Sequence, residues 1–270
     1  MRNVLTALMI VGALACPVAA DWVVEDGHKM HWPQMPDPLG WDIDIVWPNV
    51  VADDWKCGGT GPVKDVHLWV SVEGDRDSEP AQQALAGMEY FHLSIHKDIP
   101  AAESPTGYSM PLDPPVWERN FDPVQVVISP NVGQGVQGFA TPTVGPDGWR
   151  LDDHNLYYLA NIMDIQDPFV QREGEIYWLD VSVKMRDDYQ GPRIGWKTTL
   201  QDLEFNDDAV FFVEDAAGNV HWQELWEYGE VGGHSLDMAF VVVPEPGTLV
   251  MLLGAGLIAM LTLLRRRRSH

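Results

Sequence analysis

The sequence predicts a mainly β protein: a single antiparallel β-sandwich or jelly-roll-like domain between an N-terminal signal helix and a C-terminal transmembrane helix. Three observations predict it. Apolar and polar residues alternate in many short segments, turns rich in glycine and proline separate these segments, and an apolar run lies near each end of the chain. No strand–helix–strand rhythm and no long amphipathic helix accompany them, which argues against a parallel α/β fold.

The first 20 residues have the pattern of a signal peptide. Arg2 supplies the positive start, residues 4–15 form a short apolar stretch, and Val18-Ala19-Ala20 fits a small-residue cleavage site. We therefore predict that residues 1–20 are removed on export and that the mature chain begins at Asp21. Leu14-Ala15-Cys16 leaves lipoprotein processing open as an alternative.

The central part reads as one domain, residues 21–243, because no internal repeat or long linker divides it. Period-two alternation predicts strands at 65–72, 91–96, 124–128 and 177–185, and shorter apolar runs at 210–213, 220–222 and 236–243. Residues 81–86 predict one short helical turn. Residues 21–50 are rich in Trp and Pro and predict a strap over the sandwich rather than a strand.

The exported part is strongly acidic and almost free of cysteine. Of the 17 basic residues, Arg2 and four C-terminal arginines lie outside 21–243, and of the 40 acidic residues only Glu245 does, which leaves 12 against 39, or −27. This charge argues against nucleic acid as a partner and suits divalent cations or neutral and cationic polymers.

Once Cys16 is removed, Cys57 has no intrachain partner, so we expect it to be buried, with pairing between chains as the alternative.

The last 27 residues predict where the protein goes. Residues 248–264 are apolar and uncharged, and as a helix they would span about 25 Å, close to the thickness of a bilayer core. Four arginines follow, Arg265, Arg266, Arg267 and Arg268, and such a cluster stays on the cytoplasmic side. The pattern predicts a transmembrane helix that first anchors the exported domain in the inner membrane.

Together with Pro244, Glu245 and Pro246, this tail resembles the PEP-CTERM sorting signal of Gram-negative bacteria. The resemblance covers residues 244–270. It implies an exosortase as the processing partner, cleavage near the Pro-Glu-Pro motif, and a final location at the cell surface or in the extracellular matrix, where such proteins are associated with exopolysaccharide. It implies nothing about activity.

The domain itself resembles a family of uncharacterised secreted bacterial proteins. The resemblance rests on residues 51–57, 91–100, 195–198, 206–210 and 236–240, and it covers most of 28–243. Since no activity is assigned to that family, the resemblance implies a single extracellular domain and no catalytic residue.

Acidic residues near predicted turns are candidate calcium ligands, because calcium takes six to eight oxygens in irregular geometry. Asn206, Asp207 and Asp208 are the first candidate set, and Asp53 and Asp54 are the second. The alternative is an ordinary turn, in which Asp and Asn bond to nearby backbone. Calcium is the one cofactor that the sequence suggests.

Tryptophan suggests a binding role. All 12 Trp lie in 21–243, and exposed aromatic rings stack on sugars or anchor protein interfaces. Trp69 and Trp178 fall on the polar side of their strands and are therefore the candidates for glycan stacking.

His92 and His96 lie four residues apart, roughly 13 Å on a strand, which is too far for one zinc ion. With Ser94 they predict a polar sheet face.

The leading functional hypothesis is a non-catalytic surface or matrix protein that binds polysaccharide or calcium. Two alternatives stay open: a carbohydrate-active hydrolase or lyase, and a purely structural or protein-binding module. The sequence has no nucleophile elbow, no zinc-protease motif and no phosphate loop. Thirty-nine acidic residues always supply some carboxylate pair, so catalysis is disfavoured without being excluded.

Overall fold

The computed structural model describes Trp22 and residues 27–214, 220–229 and 233–243. The predicted signal peptide, the Pro-Glu-Pro motif, the predicted helix at 248–264 and the arginine cluster lie outside these residues. Within the described ranges, no helix has the length and apolar character needed to span a bilayer.

Strands make up most of the described chain, which confirms the mainly β prediction. They are β1 (Trp41–Asp44), β2 (Val51–Lys56), β3 (Gly61–Pro62), β4 (Asp65–Val72), β5 (Met88–Ile99), β6 (Met110–Phe121), β7 (Val126–Ala140), β8 (Trp149–Ile162), β9 (Val170–Gln171), β10 (Ile176–Met185), β11 (Ile194–Lys197), β12 (Val210–Glu214), β13 (Val220–Glu224) and β14 (Phe240–Val243). The described residues contain one α-helix, α1 (Glu79–Gly87).

Sheet A has the strand order β11-β1-β7-β8-β4-β14. Its pairs are antiparallel except β1 with β7, which run parallel. Strand β11 also pairs with β4, through Ile194 to Trp196 opposite Val72 to Val70. Strands β11, β1, β7, β8 and β4 therefore form a closed ring of hydrogen-bonded neighbours, which removes most free strand edges from this sheet.

Sheet B is antiparallel throughout, in the order β13-β12-β2-β10-β5-β6. Its central pair follows the period-two pattern: Leu179, Val181 and Val183 of β10 face the core, opposite Ile95, Leu93 and Phe91 of β5. The remaining strands, β3 and β9, form a separate two-stranded sheet.

The two large sheets share one hydrophobic core. Ile43 and Leu68 of sheet A and Trp55 and Leu179 of sheet B belong to the same buried cluster. Strand β14, the last strand before the sorting motif, is buried along its whole length in this core. The fold thus holds the polypeptide up to residue 243.

Several sequence predictions need correction. The segment 21–50 is not only a strap, because Trp41–Asp44 pairs with β7 and β11 as strand β1. Helix α1 has nine residues instead of one turn. The strand predicted at 236–243 begins only at Phe240. Burial of Cys57 is confirmed, since its side chain is 2% exposed and its thiol is free.

Candidate functional site

A groove with polar and aromatic side chains lies along the outer face of sheet B. Three adjoining cavities, of about 500, 200 and 330 Å³, all include Trp47 in their lining. We call them together the Trp47 groove. The second and third share Trp47, His92, Glu118 and Ser182, while Lys184 links the third to the first.

Strand register arranges the polar floor of the groove in rows. Asp180 of β10 lies opposite Ser94 of β5, which lies opposite Glu118 of β6. The next row contains Ser182, His92 and Asn120, and His92 Nδ1 lies 2.6 Å from Asn120 Oδ1. Because alternate residues on neighbouring strands share a face, three strands present one continuous polar surface. The predicted polar face of His92, Ser94 and His96 is therefore part of this groove.

Trp47 is the exposed aromatic ring of the groove, with 57% of its surface accessible. Its backbone is fixed, because the Trp47 N–H donates to the Val183 carbonyl at 2.9 Å. Val46 forms a parallel bridge with Val183. A ring held by sheet backbone and open to solvent is suited to stack on a flat ligand without a large ordering cost.

A second aromatic wall closes the other side of the smaller cavity. Phe212 and Trp222 pack with ring centroids 4.9 Å apart, and Trp222 Nε1 donates to Asp113 Oδ2 at 3.3 Å. The His96 ring meets Trp222 edge to face, with centroids 6.1 Å apart. The cavity therefore combines apolar walls with a polar floor, as ligand sites commonly do.

Ser94, His96 and Asp180 contact one another but do not form a nucleophilic triad. Ser94 Oγ and His96 Nε2 lie 2.9 Å apart, and both bond Asp180 Oδ2. In a triad the carboxylate holds the imidazole nitrogen that faces away from the serine. Here one nitrogen faces both groups, and the side chains of Ser94 and His96 are almost fully buried.

Burial and Asp180 have opposite effects on His96. Burial lowers the pKa of His96, but the hydrogen bond and charge of Asp180 outweigh burial, so the pKa lies above its ordinary value.

The predicted exposure of Trp69 and Trp178 is wrong. Trp178 is fully buried on the outer face of sheet B, where Tyr108, just before β6, and Met110, the first residue of β6, help to cover it. Trp69 is 5% exposed and packs edge to face on Trp22. Both residues lie outside the groove lining, so neither is available for stacking.

The two candidate calcium sets lie together. Asn206 Nδ2 donates to Asp54 Oδ2 at 2.8 Å and to Ser109 Oγ at 3.0 Å, while Asp207 Oδ2 accepts from the backbone and hydroxyl of Ser109. Asp208 is hydrogen-bonded to Ser235 instead. In the part of the chain that the structure describes, no group of three or more His, Cys, Asp and Glu side chains is arranged to hold a metal ion.

Asp53, Asp54, Asp98, Asp207 and Asp237 form an acidic cluster around this point. Burial raises the pKa of Asp54 well above its usual value, and the charges of Asp237, Asp98 and Asp207 raise it further. Burial also raises the pKa of Asp53 and Asp237 well above the usual value; the charge of Asp54 raises that of Asp53 further, and the charge of Asp53 raises that of Asp237 further. The cluster therefore favours protonated carboxyls.

Part of this cluster has a structural role. Asp53 Oδ2 accepts from the Met238 N–H at 2.6 Å, and Asp237 accepts from the N–H groups of Phe205 and Ala209. These bonds tie the segment before β12 and the segment before β14 to strand β2. Asp54 differs, because its Oδ1 is buried without a hydrogen-bond partner.

Comparison with known proteins identifies the two parts of the chain. A family model described as "Domain of unknown function (DUF7901)" matches residues 30–243, and the PEP-CTERM protein-sorting motif matches residues 242–268. Searches of curated proteins and of solved structures found no match.

The sorting motif confirms the predicted PEP-CTERM resemblance: the protein is exported, sorted in association with a membrane, and processed by an exosortase, which is a membrane enzyme. The resemblance of the domain to an uncharacterised family is confirmed too. Since the family model spans most of the sequence, the chain belongs to the DUF7901 family of domains of unknown function.

Proposed function

We propose that residues 21–243 form a single extracytoplasmic β-sandwich domain that binds extracellular polysaccharide in the Trp47 groove. The observation that carries the proposal is Trp47 itself, an exposed ring fixed by sheet backbone at the meeting point of three cavities. The sorting signal supports the location, since it sends the protein towards the cell surface or matrix of a Gram-negative-type bacterium, where such polymers accumulate.

The polar lining of the groove supports a sugar as the ligand. Sugars offer an apolar ring face and many hydroxyls, so a site for them needs an aromatic platform with both donors and acceptors around it. His92 and Lys184 supply donors, while Glu118, Asn120 and Ser182 supply acceptors. The net charge of −27 favours a neutral or cationic polymer over an anionic one.

The C-terminal tail concerns how the domain reaches the cell surface. Strand β14 ends at Val243, and the Pro-Glu-Pro motif follows at once. Removal of residues 244–270 would therefore leave every described strand in place. We propose that the helix at 248–264 holds the chain in the inner membrane until an exosortase cuts near the motif and delivers the domain to the surface.

Replacing Trp47 with alanine tests the binding site. We expect the wild-type protein to bind at least one polysaccharide in a glycan screen, and W47A to bind it about 10-fold more weakly, since loss of a stacked aromatic anchor costs more than about 1 kcal/mol. Trp32→Ala is the matched control, because Trp32 is 38% exposed but lies outside the groove lining.

Equal binding by W47A and the wild type would contradict the proposed site, and no binding across the screen would contradict the function. The same incubation distinguishes the hydrolase alternative, which Asp113 and Glu118 keep open by lining one cavity. New reducing ends released from the bound polymer would favour hydrolysis over simple binding.

Calcium binding by Asn206, Asp207, Asp208, Asp53 and Asp54 is a second proposal, supported by the unpartnered Oδ1 of Asp54 among acidic neighbours. We expect millimolar calcium to raise the melting temperature by several degrees, because a ligand that binds the native state stabilises it. The response is expected to disappear in Asp54→Asn and to be absent with magnesium. A wild-type protein whose melting temperature ignores calcium would disprove the site.

A further inference from the structure

A buried lysine and a buried aspartate face each other on two adjacent strands of sheet A. Asp42 of β1 and Lys197 of β11 are register partners on adjacent antiparallel strands. Lys197 Nζ lies 3.0 Å from Asp42 Oδ2, and both side chains are fully buried. Residues directly opposite on one face are held together by the strand pairing itself, so this approach is fixed by the backbone.

A histidine contacts the same carboxylate oxygen. His154 of β8 places Nε2 3.0 Å from Asp42 Oδ2, and its Nδ1 lies 3.2 Å from Asp153 Oδ2. Burial lowers the pKa of His154, but the two carboxylates outweigh burial and raise it above the ordinary value. Both ring nitrogens therefore lie against carboxylate oxygens, and Nε2 faces the oxygen that the lysine also contacts.

If Lys197 and Asp42 form only an ion pair, part of their hydrogen-bonding capacity is left unused. Asp42 Oδ1 is buried without a hydrogen-bond partner. The Lys197 ammonium, which has three donors, bonds Asp42 and otherwise lies over the Tyr157 ring, 5.3 Å from its centroid. Burial lowers the pKa of Lys197. Desolvation of two buried charges is repaid only when the remaining hydrogen bonds are made, and here they are not.

We propose that Lys197 and Asp42 join through an isopeptide bond between Nζ and Cγ, with His154 as the proton-transfer residue. The reacting side chains are buried, aligned by strand pairing and excluded from water, which are the conditions that favour an intramolecular reaction. A desolvated lysine amine is also a competent nucleophile at a carbonyl carbon.

The step balances without any co-reactant. A proton passes from the Nζ ammonium to Asp42 Oδ2, which leaves a neutral amine and a carboxylic acid. The Nζ lone pair then attacks Cγ and forms the C–N bond, while His154 donates its Nε2 proton to Oδ2 and takes a second proton from Nζ. The Cγ–Oδ2 bond breaks and water leaves. An ammonium and a carboxylate thus become one amide and one water molecule, with no net change in charge or oxidation state.

The cross-link would close a long loop, because Asp42 and Lys197 are 155 residues apart in sequence. Such a link restricts the unfolded chain in the same way as a disulfide does. Once the signal peptide is removed, the exported domain has one cysteine, Cys57, and so no intrachain disulfide. An isopeptide bond would give this exported domain a covalent constraint that its cysteine content does not.

The mass of the purified full chain in denaturant tests the proposal. We expect the wild type to be lighter than its sequence, with ends fixed by peptide mapping, by one water molecule. A tryptic digest is expected to contain one branched peptide that links the segment around Asp42 to the segment around Lys197, with no cleavage after Lys197. Denaturant separates ion pairs, so only a covalent bond gives this result.

Three variants complete the experiment. Lys197→Met and Asp42→Ala are expected to have the full calculated mass, while Lys97→Met, which removes an exposed lysine of β5, is expected to keep the deficit of one water. His154→Gln is expected to form the bond more slowly after refolding. A folded wild-type protein with its full calculated mass and with normal cleavage after Lys197 would overturn the proposal.

Discussion

Replacing Trp55 with alanine is expected to lower the free energy of unfolding by about 3–5 kcal/mol, the range for removal of a buried aromatic side chain. Trp55 lies on β2 and is fully buried. Its ring packs between Tyr177 of sheet B and Phe240 of β14, at centroid distances of 5.6 and 6.1 Å. The alanine variant would leave a large cavity at the contact between the sheets.

Trp55→Ala would also remove a buried hydrogen bond. Trp55 Nε1 donates to Gln171 Oε1 at 2.9 Å, and Gln171 is itself fully buried. Without the indole, that oxygen lacks this donor in a dry site, which costs about 1–3 kcal/mol. Phenylalanine at position 55 would restore most of the volume but not the donor, so we expect it to recover only part of the stability.

Urea denaturation followed by tryptophan fluorescence measures this effect. Trp47→Ala is the matched control, because it removes the same side chain from an exposed position and is expected to change stability by no more than about 0.5 kcal/mol. If Trp55→Ala and Trp47→Ala have the same denaturation midpoint, the shared core between the sheets is not what stabilises the domain.

Local sequence patterns predicted the strands better than their partners. Alternation along β4, β5 and β10 identifies which residues share a face, because a period of two is a local property of the chain. Closure of sheet A depends on β11 pairing with both β1 and β4, which lie more than 100 residues away in sequence. No periodicity within a short strand specifies such a pairing.

The candidate sites show the same contrast between local patterns, which can be predicted from sequence, and long-range contacts, which cannot. The polar face of His92, Ser94 and His96 could be predicted, whereas Trp178 on the same sheet face could not be recognised as buried, since Tyr108 and Met110 come from a distant segment to cover it. Trp47 was not among the sequence-based candidates. It belongs to a stretch without alternation, and its exposure depends on how the backbone after β1 crosses to sheet B.

Raising the pH is expected to destabilise the domain. Burial, together with neighbouring carboxylates, raises the pKa of Asp53, Asp54 and Asp237 well above the usual value. A group with a raised pKa in the folded state contributes stability that is complete below its unfolded pKa, about 4 for Asp, and is lost as the pH rises through the folded value. Each pKa unit of difference corresponds to about 1.4 kcal/mol.

Two histidines and two further aspartates also make the stability of the domain depend on pH. The pKa values of His96 and His154 are also raised, so their contributions are lost in the same direction, above about pH 6.5. The pKa values of Asp42 and Asp153 are lowered, so their contributions are lost as the pH falls below about 4. We therefore expect stability to be greatest near about pH 4 and to decline as the pH rises above it.

Denaturation midpoints in chelator, measured between about pH 5 and 8, test this expectation. Asp54→Asn is expected to flatten the decline, because an amide of the same shape carries no charge at any pH and removes the charge that raises the pKa of Asp53. Asp187→Asn removes an exposed carboxylate and is expected to keep the wild-type slope, which separates the buried cluster from the general effect of a net charge of −27. Stability that is level or rises with pH would mean that the acidic cluster is ionised at no cost, and the calcium proposal would lose its physical basis as well.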